Sequence, residues 1–364
     1  MMNKYLGILL IVISCFIGET IQAQEDKEIL VGCEYFNGWW QQTPNKWERR
    51  GKDWRADYPE RVPLLGEYNS QETMDKEIEA AAEYGVDFFT ILWYYPGNVK
   101  KKDNCDLLNG GLKHFMDSPN SGKMKFMVEL CNHAPFAIIT DEDWDKCMDV
   151  CVNAMKHPSY LRIDGRAVLK IHGGDQFHID NGSNLERSTQ IIQRLRQKAL
   201  NSGVGELLIT VGTYGDKPID SEHTFVQTGV DGTMQYMDPT DLSQKETDYS
   251  YEILAARAKE MRNLRKKDAI SWTPYFPAGW NPRPWEDPRA AFNLPTRKQW
   301  KSSLKELKKD LLKSNNLGFP RKDGTTQKAF TIYAWNEYGE GGILAPTVGD
   351  QYMKLEVIKE VFGK

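Results

Sequence analysis

The sequence predicts an α/β fold, a single (β/α)8 TIM barrel with enlarged loops after its strands, on three observations. Short apolar runs rich in β-branched and aromatic residues alternate with amphipathic segments along nearly the whole chain, the order that gives parallel strands with crossover helices. Eight such units occupy roughly 340 residues against about 250 for a plain barrel, so the surplus belongs to loops. No Pro/Ser-rich linker, low-complexity tract or internal repeat divides the chain. A doubly wound open sheet is the alternative arrangement.

The strands are expected at residues 29–35, 86–93, 125–130, 167–171, 206–211, 232–236, 270–275 and 328–335. After the first comes a long loop, 37–70, carrying Trp39, Trp40, Trp47 and Trp54. Asn69 with Glu72 reads as a capping box, Met74, Ile78 and Ala81 repeat at helical spacing, and Tyr84-Gly85 closes that helix before the second strand. After the third strand, Thr140 and the acidic Asp141-Glu142-Asp143 open a helix before Trp144, where a hydroxyl cap and negative charge satisfy free N–H groups. The seventh strand runs into a second aromatic loop, 276–294, with Trp280 and Trp285. Trp300, Leu304, Leu307 and Leu311 then mark the buried stripe of the helix that follows.

Composition narrows the function. With 47 Lys plus Arg, 51 Asp plus Glu and a net charge of −4 without long blocks of one sign, nucleic acid is not the expected partner. The chain is rich in Trp (11) and Tyr (16), several beside Gly, Pro and Asn, as in sites where aromatic faces stack on sugar rings. Residues 1–23 read as a signal peptide: Lys4, an apolar run from Tyr5 to Ile17 too short to span a membrane, and cleavage after Ala23. Val12-Ile13-Ser14-Cys15 also fits a lipobox, which would make Cys15 a lipid anchor. Either way an exported protein is expected, in the periplasm or outside the cell, with no integral membrane span and residues 24–364 as one catalytic domain. Cys33, Cys105, Cys131, Cys147 and Cys151 are odd in number and lack metal-ligand spacing, so buried thiols are expected rather than a disulfide framework or a zinc site.

In a barrel, the strand C-termini converge on the catalytic face. The eighth strand ends in Trp335-Asn336-Glu337-Tyr338-Gly339-Glu340-Gly341-Gly342, two carboxylates among glycines that let a ligand approach. Glu337 and Glu340 are the candidate catalytic pair. Candidate substrate contacts come from the other strand ends: Tyr35, Trp39 and Trp40; Trp93 and Tyr94; Asn132 and His133; Tyr236; Tyr275, Trp280, Asn281 and Arg283; and Trp335 with Asn336. No G-x-S-x-G elbow, Walker loop or dinucleotide turn competes with them. The D-x-D within Thr140–Asp143 could serve a metal-dependent glycosyltransferase, but capping explains it.

The ordered set of Tyr35 to Trp40, Tyr84-Gly85-Val86-Asp87-Phe88 through Trp93-Tyr94, Asn132, His157-Pro158-Ser159-Tyr160 to Asp164-Gly165-Arg166, Gly279-Trp280-Asn281 with Arg283, and Trp335-Asn336-Glu337-x-x-Glu340-Gly341 resembles the family-99 glycoside hydrolases, the endo-α-mannosidase group, and the related WbsX-like domains. The resemblance implies hydrolysis of an oligosaccharide or polysaccharide without a cofactor or metal. It also implies a retaining route in which Glu337 takes the proton of the sugar 2-hydroxyl, a 1,2-anhydro sugar forms, and Glu340 serves as acid and then base. The family usually places an aromatic and a histidine between the acids, where this chain has Tyr338 and Gly339. A WbsX-like glycosyltransferase and a non-catalytic glycan-binding barrel are the alternatives.

Overall fold

A computed structural model of the protein describes residues 28–97, 102–237 and 248–363, so the expected signal peptide and Cys15 lie outside the described residues. The barrel is built from β1 (Ile29–Tyr35), β2 (Phe88–Tyr94), β3 (Lys125–Cys131), β4 (Arg166–Ile171), β5 (Leu207–Val211), β6 (Gly232–Met234), β7 (Ser271–Thr273), β8 (Tyr275–Pro277) and β9 (Thr326–Tyr333). Their order is β7-β6-β5-β4-β3-β2-β1-β9-β8, and every neighbouring pair is parallel.

β7 and β8 are two halves of the expected seventh strand. Pro274 separates them because it has no N–H for a sheet ladder. The first half pairs with β6 (Ser271 opposite Gly232) and the second with β9 (Tyr275 opposite Thr331). One interrupted strand therefore joins both ends of the sheet and closes the barrel, which rules out the doubly wound alternative.

Outside the strands lie α1 (Gln71–Glu83), α2 (Asp141–Ala154), α3 (Leu185–Asn201), α4 (Tyr251–Arg265), α5 (Arg297–Lys313) and α6 (Met353–Phe362), with shorter helices between. The expected stripes face inward: Met74, Ile78 and Ala81 of α1 and Trp300, Leu304, Leu307 and Leu311 of α5 are all fully buried. Burying each large side chain contributes roughly 1.5–3 kcal/mol. One cap differs from expectation. Ser70, not Asn69, caps α1 by accepting from the Thr73 N–H. The Asn69 carboxamide instead accepts from the Trp39 N–H at 2.7 Å, so it shapes the first aromatic loop. The Thr140 cap on α2 forms as expected and proves to be a capping box, with Asp143 as its reciprocal partner and a second bond to Asp143 from the Tyr95 hydroxyl. All five described cysteines are buried free thiols.

The barrel interior is unexpectedly polar. Glu34, Thr90, Glu129, Lys170, Thr210 and Thr331 all show 0% exposure, although each lies in a strand whose other residues are mostly apolar. Strand alternation turns these toward the axis and their neighbours toward the helices.

Candidate active site

β9 ends at Tyr333, and the chain then makes a short hairpin, β10 (Asn336–Glu337) against β11 (Gly342–Ile343), whose tip carries both candidate acids. The tip is tight: the Glu340 and Gly341 N–H groups both donate to the Glu337 carbonyl, at 3.1 and 2.8 Å. Gly339 is required by close approach, since a β-carbon there would lie 2.2 Å from the Trp285 indole. Gly341 adopts φ +80°, and a β-carbon would meet the Asn281 nitrogen at 2.8 Å.

Each carboxylate accepts from a tyrosine. The Tyr236 hydroxyl donates to Glu337 Oε1 at 2.8 Å, and the Tyr333 hydroxyl donates to Glu340 Oε2. Burial, reinforced by the charge of Glu340, pushes Glu337 up to about 8, while the Tyr236 bond and the Lys46 ammonium oppose the shift. Burial also raises Glu340, against the pull of Tyr333, Arg289 and Lys46. Two such neighbours titrate as a pair, and Glu337, at about 8, holds a proton near neutrality.

The rim consists of aromatic rings and cations. Lys46 Nζ lies 4.9 Å from the Trp285 ring and 5.2 Å from that of Phe36, and Arg289 stacks 4.8 Å over Trp280. Trp280 is itself 6.1 Å from Tyr333, which places it beside the acids. On the opposite side the Tyr236 ring is 5.3 Å from His172, which is 5.0 Å from His133, which is 5.8 Å from Tyr94. Burial holds His133 down at about 4, so this imidazole is neutral. An open cleft of about 530 Å3, lined by Asn45, Lys46, Trp285 and Asp287 among others, continues from this rim.

Glu337, Glu340, Tyr236, Trp280, His133 and Tyr94 therefore come together. Several other candidates do not face the site. Tyr35 points into the helix layer, where its hydroxyl donates to Glu77 Oε2 at 2.7 Å. Trp93 shares the strand face of Phe89, whose ring packs on Phe115 of the helix Gly110–Asp117. Tyr275 lines an outer cleft with Arg257 and Met261 of α4. Trp335 is fully buried against Phe89. Asn132 joins two loops through paired bonds with the Gly173 backbone at 2.8 and 2.9 Å. Asn336 does the same with the N–H and carbonyl of Phe36. Arg283 donates to the Asp287 and Arg289 carbonyls, and Asn281 accepts from the Arg283 N–H, so both shape their own loop. Trp40 is half-buried and donates to the Pro44 carbonyl.

Trp39 is the most informative correction. It is 1% exposed and donates to the Asn336 carbonyl at 2.7 Å. With Trp47 it encloses Tyr338, the residue between the two acids, at ring distances of 5.1 and 5.4 Å. The first-loop tryptophans thus brace the acid turn instead of lining the ligand space. Arg61 completes the brace: its buried guanidinium donates to the Tyr338 carbonyl at 3.1 Å and the Asn281 carbonyl at 2.9 Å. Arg61, Tyr333, Lys46, Trp285 and Arg289 were not among the expected residues, and no short-range motif marks them.

Below Tyr236, inside the barrel, Lys170 Nζ bonds Glu34 Oε1 at 3.1 Å and Glu129 Oε1 at 2.9 Å, and His172 Nδ1 meets the same Glu129 oxygen at 2.6 Å. Burial and the neighbouring Glu129 raise Glu34 well above the ordinary carboxylate range. Burial would raise Glu129 too, but Lys170 and His172 overcome it and hold Glu129 low. Among the described residues no cluster of His, Cys, Asp and Glu is arranged to hold a metal ion, and no helix is long and apolar enough to cross a membrane.

Residues 136–358 match a family described as Glycosyltransferase WbsX. Among solved structures, the chain is similar to the GH99 endo-alpha-mannosidase from Bacteroides thetaiotaomicron, at 13% identity and a TM-score of 0.57 over 91% of this chain and 97% of that one. It is also similar to the GH99 endo-alpha-mannosidase from that organism in complex with Bis-Tris-propane, at 14% identity and a TM-score of 0.52 over 92% and 95% of the two chains. These likenesses show a shared barrel fold. No protein of curated function matches the chain significantly.

Proposed function

The chain belongs to the WbsX family, and from that premise we propose that it is an exported glycoside hydrolase acting on a polysaccharide or glycoprotein glycan with α-mannosidase-like, retaining chemistry. The observation that carries this reading is the pair Glu337 and Glu340 on one hairpin tip, Glu337 buried and Glu340 half-buried, each held by a tyrosine hydroxyl, and each raised so that the pair keeps a proton near neutral pH.

Two carboxylates from one turn suit a substrate-assisted route. A sugar 2-hydroxyl donating to Glu337 stabilises its ionised form, leaving the pair's proton to Glu340. Glu337 then takes the hydroxyl proton, O2 attacks C1, and the C1–O bond to the leaving group breaks as Glu340 protonates that oxygen. In the second half Glu340 takes a proton from water, the water oxygen attacks C1, and the epoxide C1–O2 bond opens as Glu337 returns its proton to O2. A 2-hydroxyl trans to the leaving group is needed, and α-mannosides have it.

The family description favours glycosyl transfer as the second reading. Against it, Asp143 of the D-x-D pattern is engaged in the α2 cap and with Tyr95. The deciding experiment incubates the purified protein with a panel of defined oligosaccharides and polysaccharides, with and without nucleotide-sugar donors, and resolves products by chromatography. Shortened glycans without a donor support hydrolysis; extended glycans only with a donor support transfer; binding without any product supports a glycan-binding barrel. Fractionation of producing cells tests export, since intact residues 1–23 in cytosolic protein would refute it.

A further inference from the structure

The end of the barrel opposite the acid pair holds a cavity of about 230 Å3 that the proposed reaction does not use. It lies where the strands begin. Leu30 is the second residue of β1 and Lys125 the first of β3, while Arg162 and Ile163 form a short strand that pairs back on the first residues of β4. Leu30, Tyr160, Leu161 and Ile163, each nearly fully buried, make an apolar floor. The Tyr160 hydroxyl is spent on the backbone, donating to the Val168 carbonyl at 2.8 Å and accepting from the Val128 N–H at 3.1 Å, so what it can offer the cavity is its ring. Lys125, Arg162, Lys156 and His157 supply the polar lining, and no acidic side chain among the described residues joins them.

Charge is the unusual part. Other cations at this end of the barrel have carboxylate partners: Arg196 meets Asp231 at 2.7 Å and Arg321 meets Asp164 at 3.2 Å. Lys125 and Arg162 have none among the described residues, although both are half-buried. Burial lowers the proton affinity of Lys125, and the charge of Arg162 lowers it further. Arg162 spends three of its five N–H groups on the Gly165, Val204 and Met155 carbonyls, which fixes the guanidinium and leaves two for a ligand. Lys125 donates only to the Pro158 carbonyl, at 3.3 Å. Two like charges drawn partly out of water over an apolar floor are costly without a counter-charge. An anion with an apolar body relieves both costs.

We propose that this cavity is a second ligand site, for a small amphiphilic anion: a carboxylate or phosphate seated between Lys125 and Arg162, carried on a short chain or single ring that covers Leu30 and Tyr160. The volume falls below the roughly 300–1,000 Å3 of sites that take drug-sized ligands, which limits the body to that size. A free anion and the headgroup of an anionic lipid share this chemistry. The site stands independently of the glycosidase reading, because it lies at the strand ends away from the acid turn.

The test titrates octanoate into the full chain by calorimetry, with acetate as the same charge without a tail and 1-octanol as the tail without a charge. Octanoate is expected to bind at one site and at least about tenfold more tightly than either. Equal affinity for acetate means an adventitious ion only, and equal affinity for octanol a non-specific apolar surface; each overturns the proposal, as does no binding at all. Lys125→Met keeps the stem and removes one of the two cations. It should weaken octanoate about tenfold and, without ligand, melt at or above the wild-type temperature, because a repulsion has been removed. Unchanged octanoate affinity overturns the site. A ligand-free variant that melts well below wild type makes Lys125 a prop for the Pro158 carbonyl and overturns the uncompensated charge on which the site rests. Vesicles separate the two sources of the anion. Co-sedimentation with phosphatidylcholine vesicles containing about one-fifth phosphatidylglycerol, absent with pure phosphatidylcholine and lost in Lys125→Met, supports a lipid headgroup, whereas octanoate binding without co-sedimentation supports a free anion.

Discussion

Removing the Tyr236 hydroxyl probes the acid pair without a substrate. Tyr236→Phe keeps the ring and deletes the donor to Glu337 Oε1, whose companion Oε2 is already buried without a partner. The bond is worth about 1.5–3 kcal/mol when Glu337 is ionised but only about 1 kcal/mol when it is protonated. The variant's cost therefore grows by roughly 1 kcal/mol as the carboxyl ionises, equivalent to an upward shift of about one pKa unit. The sign follows from linkage. Glu337 stands at about 8 in the fold, and an unfolded glutamate titrates near ~4.3. Between those values the folded state holds a proton that the unfolded chain has released, so this group's contribution to stability declines as pH rises through the window. The decline should continue to higher pH in the variant. Guanidinium unfolding of both proteins at intervals from pH 5 to 9, followed by tryptophan fluorescence, measures it: the difference should widen from about 1 to about 2 kcal/mol. A difference that is flat, or narrows toward alkaline pH, would refute the assignment of a raised pKa and a Tyr236-stabilised anion to Glu337.

On a substrate found in the screen, Glu337→Gln and Glu340→Gln should each lower kcat at least roughly a hundredfold with ligand affinity largely kept, because proton transfer is lost and not binding; near-normal turnover in either would remove that residue from the mechanism. Arg61→Met should cost about 2–4 kcal/mol and much of the activity, since two buried carbonyls on adjoining loops lose their shared donor, and calorimetry with an activity assay checks both. Gly339→Ala drives a methyl into the Trp285 indole and should destabilise by about 1–3 kcal/mol or displace that ring, visible as a change in fluorescence. Glu34→Gln keeps an oxygen for Lys170 and should cost about 1 kcal/mol, whereas Lys170→Met strands Glu129 and should cost about 3–5 kcal/mol; equal costs in guanidinium unfolding would contradict the raised proton affinity of Glu34.

Much of the barrel can be read along the chain because apolar runs, helical stripes and turn residues agree at every level, and the acid turn stands out because two carboxylates three apart leave a strand beside Gly339, Gly341 and Gly342. What cannot be read is facing. Glu34 and Tyr35 are adjacent, so strand alternation sends one to the axis and the other to the helices; the aromatic was expected in the site, and the carboxylate is the inward one. The same parity places Lys170 inside, where a charged residue amid Val168, Leu169 and Ile171 was the available signal. Trp39 and Arg61 depend on contacts with residues close to the far end of the chain, which local pattern does not encode.

The Asn336 side chain imitates a peptide unit toward Phe36, a partner 300 positions earlier, and β1 itself pairs with β9. The opening segment of the barrel thus waits for almost the last one to be synthesised before its edge is covered. Such a dependence makes folding slow and late, as topology with many distant contacts generally does, and leaves the early strands exposed to mispairing during translation. Truncation before the final hairpin should accordingly yield an aggregating chain rather than a smaller working enzyme, and refolding should develop its native fluorescence in one late phase as both ends of the polypeptide meet.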